Sequence, residues 1–192
     1  MNVIARFHAK ATLPKLAPAS FEAWFKRRKP TVRGANRRVL LWPDTLSNYF
    51  APQTAQAAVR VLEAAGYEVE IPTERLCCGR PLYESGLLDQ AKEVLCKTLK
   101  SIENDIEAGI PVIGLEPSCV SVFRDELTNL LPNDPLATRL ASQTKLLCEF
   151  LADDASFTPS NLHGKAVIHR AEIAMERALT LLWQFRFDGL GE

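Results

Sequence analysis

The chain has 192 residues, of which 47% are hydrophobic and 24% are charged, and its 23 basic and 23 acidic side chains cancel. This is an ordinary globular composition, which excludes a disordered chain, a collagen-like fibre and a coiled coil. No stretch approaches the roughly 18 consecutive apolar residues of a membrane-spanning helix, and the N-terminus lacks the apolar core of a secretory signal. The five cysteines, an odd number, favour the reduced thiols of a cytoplasmic protein over a disulfide framework.

The neutral total conceals a basic N-terminal segment. Residues 1–38 hold ten Lys or Arg side chains and one acid, which leaves 13 basic and 22 acidic side chains for residues 39–192. We expect residues 1–38 to form a basic arm or linker, with a short amphipathic helix that is capped by Ser20. The arm contains no recognisable nucleic-acid-binding module, so we do not expect nucleic acid as a partner. Residues 39–192 are predicted to form one domain.

Within residues 39–192, strand-like and helix-like segments alternate along the chain. Short apolar runs predict strands at 39–43, 67–71, 111–115 and 166–169. Apolar stripes with helical spacing predict helices at 52–65, 85–109, 118–131, 135–151 and 171–182. This alternation predicts βαβ units and therefore a three-layer α/β fold, in which about four parallel strands are covered by helices on both faces.

Polar clusters follow each predicted strand, where an open parallel sheet binds its ligands. The clusters are Asp44 and Thr45, residues 77–81, residues 116–119, and His169 with Arg170. Because the carboxyl ends of parallel strands share one edge, Cys77, Cys78 and Cys119 should converge there. Loop positions after strands are poor places for core residues, which favours a functional role for these three. Cys96 and Cys148 lie inside predicted helices, and we expect them to be packing residues.

The residue types at this edge suggest soft-metal chemistry. A vicinal cysteine pair cannot easily bind one tetrahedral zinc ion, but it can bind neighbouring irons of a cluster, and Gly79 permits the turn that such binding needs. Cys119 is placed in the first turn of a helix whose cap is predicted to be Ser118, and the helix dipole favours a thiolate there. His169 is a further candidate metal ligand, or a hydrogen-bonded structural residue. Glu116 is either an acceptor for a metal ligand or the polar end of a buried strand.

Four segments together resemble a known family. They are LLWPDTLSNYF at 40–50, AAVRVLEAAGYEVEIP at 57–72, LCCGRPLYESGLLDQAK at 76–92 and GIPVIGLEPSCVSVFRDEL at 109–127. They resemble the cysteine-rich CCG domain of heterodisulfide reductase subunits and of the glycolate oxidase iron–sulfur subunit. The closest resemblance is to the C-terminal region of FAD-linked 2-hydroxy-acid oxidases such as D-lactate dehydrogenases. The combination of CCGRP with GLEPSC is more specific than either motif alone, and the resemblance is clear to about residue 170.

The resemblance implies an electron-transfer module of a flavin-linked oxidoreductase of the lactate or glycolate type. In such families, tandem CCG domains bind iron–sulfur clusters, including 4Fe–4S clusters, that receive electrons from a flavin and pass them to an acceptor. Carried over to this chain, the implied ligands are Cys77, Cys78 and Cys119. FAD would belong to the parent protein or a partner, and the partners would be FAD-binding and ferredoxin-type domains or subunits. We expect a cytoplasmic protein that reaches the inner membrane only through partners.

Three departures from the family pattern qualify this expectation. Asp44 and Thr45 stand where the fuller pattern has a cysteine, Val122 stands where a CxxC ending would place one, and no second CCG motif follows Arg170. The chain therefore resembles the first half of a tandem pair, without turnover of its own. Three thiolates are one fewer than a cluster usually has, so we expect a cluster in the intact parent protein rather than in this chain alone.

Other kinds of site remain open on the sequence. One is a non-catalytic interaction domain that keeps the fold and docks through the basic arm. Another is a mononuclear zinc or iron site in which His169 or Asp44 joins the thiolates. The last is a disulfide exchanger that uses the vicinal pair Cys77 and Cys78. Metal and sulfide content distinguishes these three from an iron–sulfur module.

Overall fold

A four-stranded parallel sheet organises the chain. The computed structural model describes residues 14–32, 34 and 36–158. The strands are β1 (Arg38–Trp42), β2 (Glu68–Glu70), β3 (Val112–Gly114) and β4 (Thr144–Leu146). Their order across the sheet is β2-β1-β3-β4, and each neighbouring pair is parallel.

Helices cover both faces of this sheet. They are α1 (Phe21–Arg27), α2 (Pro52–Ala64), α3 (Arg80–Glu84), α4 (Leu88–Ser101), α5 (Glu103–Glu107), α6 (Pro117–Ser121), α7 (Leu127–Leu130), α8 (Pro135–Gln143) and α9 (Leu147–Asp153). Two π-helical segments, Leu46–Phe50 and Val122–Glu126, follow β1 and α6. The predicted three-layer α/β fold with four parallel strands is confirmed.

The central strand β1 divides the core into two clusters. Successive strand residues point to opposite faces. Leu40 and Trp42 lie in one cluster with apolar residues of α4, α5, α7 and α8, whereas Val39 and Leu41 lie in the other with apolar residues of α1, α2 and α9. In the first cluster, the ring of Phe123 packs edge-on against Trp42 with centroids 4.8 Å apart. Both faces of β1 are therefore buried from solvent, which explains its continuous apolar sequence.

The helix predicted within the basic arm packs onto the second face. Ser20 caps α1 as expected, because its Oγ accepts a hydrogen bond from the backbone N–H of Ala23 at 3.2 Å. Phe21 is fully buried in the core, and Arg28 forms a buried ion pair with Glu63 of α2. Residues 14–32 therefore include a helix that stabilises the domain. Residues 1–13 of the arm lie outside the described residues, and the boundary at residue 38 stays a prediction.

The fourth strand of the structure differs from the predicted one. The helix predicted at 135–151 is wrong at its centre, because Thr144–Leu146 form β4 between α8 and α9. Thr144 and Leu146 are buried and Lys145 between them is half-buried, an alternation too short to be visible between two helical stripes. The strand predicted at 166–169 and the helix predicted at 171–182 lie outside the described residues.

The long helix predicted at 85–109 is interrupted. The backbone leaves helical geometry at Ile102, with φ −116° and ψ 20°, so α4 and α5 are separate helices. This change of direction keeps both Ile102 and Ile106 fully buried. The expected packing role of Cys96 is wrong, since Cys96 lies on the exposed side of α4, whereas Cys148 is half-buried in α9.

Gly114 ends β3 in close contact with α6. A Cβ atom added at Gly114 would overlap with Cγ2 of Val120, whose β-branched side chain has few alternative rotamers. We expect Gly114→Ala to lower the free energy of unfolding by about 1–3 kcal/mol, the usual cost of overpacking. Urea denaturation of the single variants and of the Gly114→Ala/Val120→Ala double variant measures this cost. The double variant should recover part of the loss, and strictly additive effects would contradict the predicted overlap.

Candidate cysteine site at the sheet edge

Two cysteines from distant parts of the chain meet beside the sheet. Cys78 lies in the loop between β2 and α3, and Cys119 lies in the first turn of α6. Their Sγ atoms are 3.1 Å apart, and the two residues are only 4% and 8% exposed. Cys77 adjoins this pair but is exposed. The structure thus brings Cys78 and Cys119 together with Cys77 beside them, while the role of all three as ligands stays a prediction.

The loop that carries the vicinal cysteines is fixed by a left-handed turn. Gly79 has φ +83°, a conformation that residues with a side chain rarely adopt, and it directly precedes α3. Its backbone N–H donates to the Sγ atom of Cys77 at 3.4 Å. The hydroxyl of Thr98 in α4 donates to the carbonyl oxygen of Cys77 at 3.3 Å. The turn and α4 therefore hold the vicinal pair against the first core cluster.

The segment that carries Cys119 is fixed by a helix cap. Oε1 of Glu116 accepts from the backbone N–H of Ser118 at 3.3 Å and from its hydroxyl at 3.0 Å. The prediction that Ser118 caps the helix is therefore wrong. Because Pro117 has no N–H, the first free donor of α6 belongs to Ser118, within reach of Glu116. Glu116 therefore acts as the helix cap, and its predicted role as an acceptor for a metal ligand stays a prediction.

A buried ion pair joins the two cysteine-bearing segments. Arg80, two residues after Cys78, pairs with Glu126, which follows Cys119 in the adjoining π-helical segment. The side chains are 15% and 9% exposed. The hydroxyl of Ser121 also donates to Oε2 of Glu126 at 3.4 Å. Glu126 is absent from the predicted site residues. The sequence pattern that could have indicated it is a carboxylate between Phe123 and Leu127 on an apolar helix face.

The contact between thiols and their burial oppose ionisation. The hydrogen bond with Cys119, reinforced by burial, raises the pKa of Cys78 to about 12. The neighbouring Cys78, together with burial, raises the pKa of Cys77 above its ordinary range. Both thiols are therefore protonated at neutral pH unless a cation binds beside them. Binding of a metal ion would release these protons, as it does in thiolate sites generally.

Of the other predicted site residues, Asp44 lies within the described part of the chain and has a structural role there. Asp44 is buried, and its Oδ1 accepts from the backbone N–H groups of Leu46 and Ser47 at 2.8 and 2.9 Å. It thereby starts the π-helical segment after β1. Over the described ranges, no group of three or more His, Cys, Asp or Glu side chains is arranged to hold a metal ion. His169 lies outside those ranges, so its predicted role stays open.

The described part of the chain also contains no helix with both the length and the apolar character needed to cross a membrane.

A parallel sheet with thiols gathered beside it from a loop and a helix start is the structure of a cysteine-rich α/β domain. Residues 43–124, which include all three candidate cysteines, match the family described as the CCG cysteine-rich domain. The resemblance that the sequence motifs indicate is therefore confirmed over these residues.

Several curated proteins are similar to the chain. One subunit of the anaerobic glycerol-3-phosphate dehydrogenase of Escherichia coli K12 is 28% identical over 172 residues, which are 88% of this chain and 43% of that protein. Lactate utilization protein A of Bacillus cytotoxicus is 31% identical over 140 residues, and that of Bacillus velezensis is 33% identical over 138. These matches cover 70% and 69% of this chain and 56% of each relative. The chain thus spans about half the length of its curated relatives. No solved structure matches it.

The buried ion pair between Arg80 and Glu126 predicts a large effect of its removal. Arg80→Met would leave the Glu126 carboxylate buried without its cation, so we expect the free energy of unfolding to fall by about 3 kcal/mol. The matched control is Arg38→Met, because Arg38 and Glu70 form an exposed pair with side chains 42% and 35% accessible. We expect the control to lose less than about 1 kcal/mol. Equal losses in urea denaturation would refute the structural role of the Arg80 pair.

Proposed function

We propose that the chain is an electron-transfer module of a flavin-linked 2-hydroxy-acid oxidoreductase, in which Cys77, Cys78 and Cys119 bind an iron–sulfur centre. The observation that carries this proposal is the buried contact between Cys78 and Cys119, two thiols that the fold brings together from a loop and from the first turn of α6. The match of residues 43–124 to the CCG family supports it. So do the names of the relatives, a dehydrogenase subunit and a lactate utilization protein.

The donor set fits a soft iron centre in its chemistry. Thiolates are the usual ligands of iron–sulfur clusters, and when bound such a centre supplies one-electron redox chemistry. A tetrahedral ion with metal–sulfur bonds of about 2.3 Å holds two sulfurs about 3.8 Å apart. The sulfurs of Cys78 and Cys119 are closer than this, at 3.1 Å, so the two segments that carry them would separate slightly on binding metal.

The surrounding residues would tune the site. The backbone N–H of Gly79 donates to the Cys77 sulfur, and hydrogen bonds to ligand sulfurs are one of the factors that set a cluster's reduction potential. Burial of Cys78 and Cys119 keeps water from two of the sulfurs. Exposed Cys77 marks the side on which a partner would approach.

The partners in this proposal are FAD-binding and ferredoxin-type domains or subunits of the same assembly, in the cytoplasm. The relative from Escherichia coli is named as a subunit, and the chain spans only about half of it, which supports an assembly with further parts. The substrate of the assembly would be a lactate- or glycolate-type hydroxy acid, and glycerol 3-phosphate is the second candidate. The first follows the lactate utilization proteins, and the second follows the glycerol-3-phosphate dehydrogenase.

One observation favours a second function, that of an interaction domain that keeps the fold without a metal. Among residues 14–32, 34 and 36–158, no three His, Cys, Asp or Glu side chains are arranged to hold a metal ion. In this alternative the thiols would be packing residues and the basic arm would make the contact with a partner. Metal analysis separates the two functions directly.

The decisive measurement is iron and acid-labile sulfide per chain, after purification or reconstitution of the full chain without oxygen. Three thiolates alone are one fewer than a cluster usually has, but with the fourth ligand proposed below we expect near-stoichiometric iron and sulfide and a visible absorption band. Cys78→Ser and Cys119→Ser should each lose most of the iron. Cys96→Ser is the matched control and should keep it, since Cys96 lies exposed on α4. Colourless protein with five free thiols would refute the electron-transfer proposal and support the interaction domain.

A fourth ligand is needed beside three thiolates, and we propose His169 for this place. His169→Ala should then lower the iron content, whereas His169→Cys should keep the iron and lower its reduction potential, because histidine ligands raise the potential relative to thiolate. His163→Ala is the matched control. Unchanged iron content and potential in both His169 variants would assign the fourth place to another residue or to a partner.

A further inference from the structure

The cysteine pair at the sheet edge is also placed for a covalent reaction that needs no metal. The Sγ atoms of Cys78 and Cys119 are in contact at 3.1 Å, and both cysteines are free thiols. A disulfide bond is about 2.05 Å long, so the sulfurs need to approach by only about 1 Å. We propose that Cys78 and Cys119 are a modification site, at which a peroxide forms an intramolecular disulfide in the metal-free chain.

The geometry selects this pair over the vicinal one. Consecutive Cα atoms are about 3.8 Å apart across a trans peptide bond, which is shorter than the roughly 4.4–6.8 Å between the Cα atoms of ordinary disulfides. No peptide bond in the described residues is cis. A bond between Cys77 and Cys78 would therefore distort the turn at Gly79, whereas Cys78 and Cys119 are 41 residues apart in sequence and their sulfurs are already in contact.

The surroundings keep the two thiols together. The ion pair between Arg80 and Glu126 ties the loop of Cys78 to the helical stretch of Cys119, and Ser121 fixes the same carboxylate. Glu116 also caps α6, the helix that contains Cys119. The two sulfurs therefore meet without a rearrangement of the chain.

The reaction is balanced with a small peroxide as the oxidant, which suits thiols that are 4% and 8% exposed. One thiol attacks the peroxide O–O bond, forms a sulfenic acid and releases water. The second thiol then displaces that hydroxyl as a second water, and the S–S bond forms. Two thiols lose two electrons and the peroxide gains them. A dithiol reverses the change by exchange through a mixed disulfide.

The disulfide and a bound metal exclude each other, because both use the sulfurs of Cys78 and Cys119. This consequence rests on the proposed function, whereas disulfide formation itself does not. Oxidised chain should therefore take up no iron until a dithiol has reduced it.

The test uses the full chain, reduced, stripped of metal with a chelator and treated with equimolar hydrogen peroxide. We expect the loss of two of the five titratable thiols and of the mass of two hydrogen atoms, with peptide mapping placing the bond between Cys78 and Cys119. Cys77→Ser should still form it, and so should Cys96→Ser. Cys119→Ser should not, provided that its circular dichroism matches that of the unmodified chain.

Mapping of the unmodified chain keeps the test decisive even if the Cys119 variant fails to fold. A bond between Cys77 and Cys78, or five remaining thiols, would overturn the inference. If the metal-free chain forms no disulfide although a separate, reconstituted sample binds iron and sulfide, only this inference falls. If it forms in a chain that binds no iron after reduction, only the proposed function falls.

Discussion

The burial of β1 on both faces is the constraint on which the other elements depend. This strand pairs with β2 on one edge and with β3 on the other, and its alternate residues fill two separate core clusters. The connection from β1 to β2 runs through α2 on one face, whereas the connection from β2 to β3 runs through α4 and α5 on the opposite face. The strand order therefore reverses beside β1, and a crevice at such a reversal is where open α/β sheets bind ligands.

This topology explains why Cys78 and Cys119 meet on the face of α4. Both belong to the core cluster that contains Leu95 and Phe123. Apolar burial therefore places the two cysteines together independently of any ligand. The ion pair between Arg80 and Glu126 fixes how the two cysteine-bearing segments lie relative to each other. Desolvation makes such pairs poor sources of net stability, so we attribute its role to the relative placement of the two segments.

Strong periodicity made most of the fold predictable from the sequence. Short elements and ion pairs between distant residues could not be predicted. The helix at α2 and the strand at β1 follow from a long apolar stripe and a continuous apolar run. The strand β4 is only three residues long, and its alternation disappears between the stripes of α8 and α9. At the site, the cysteines were predictable because they follow strands. Glu126 was not, since its partner Arg80 is 46 residues away and pairing across that distance leaves no local pattern.

The thiols of the site can exist in two states, one free of metal and one that would bind it. In the absence of a cation, the protonated Cys78 thiol lies against the sulfur of Cys119 at 3.1 Å and carries no charge into the core. A soft metal ion would reverse this balance, since its charge compensates thiolates that burial alone disfavours. The same burial that suppresses ionisation would then strengthen the attraction between thiolate and metal, because the local dielectric is low. Under the proposed function, metal loading, proton release and separation of the two sulfurs would be one coupled event, and the proposed oxidation to a disulfide would compete with it for the same pair.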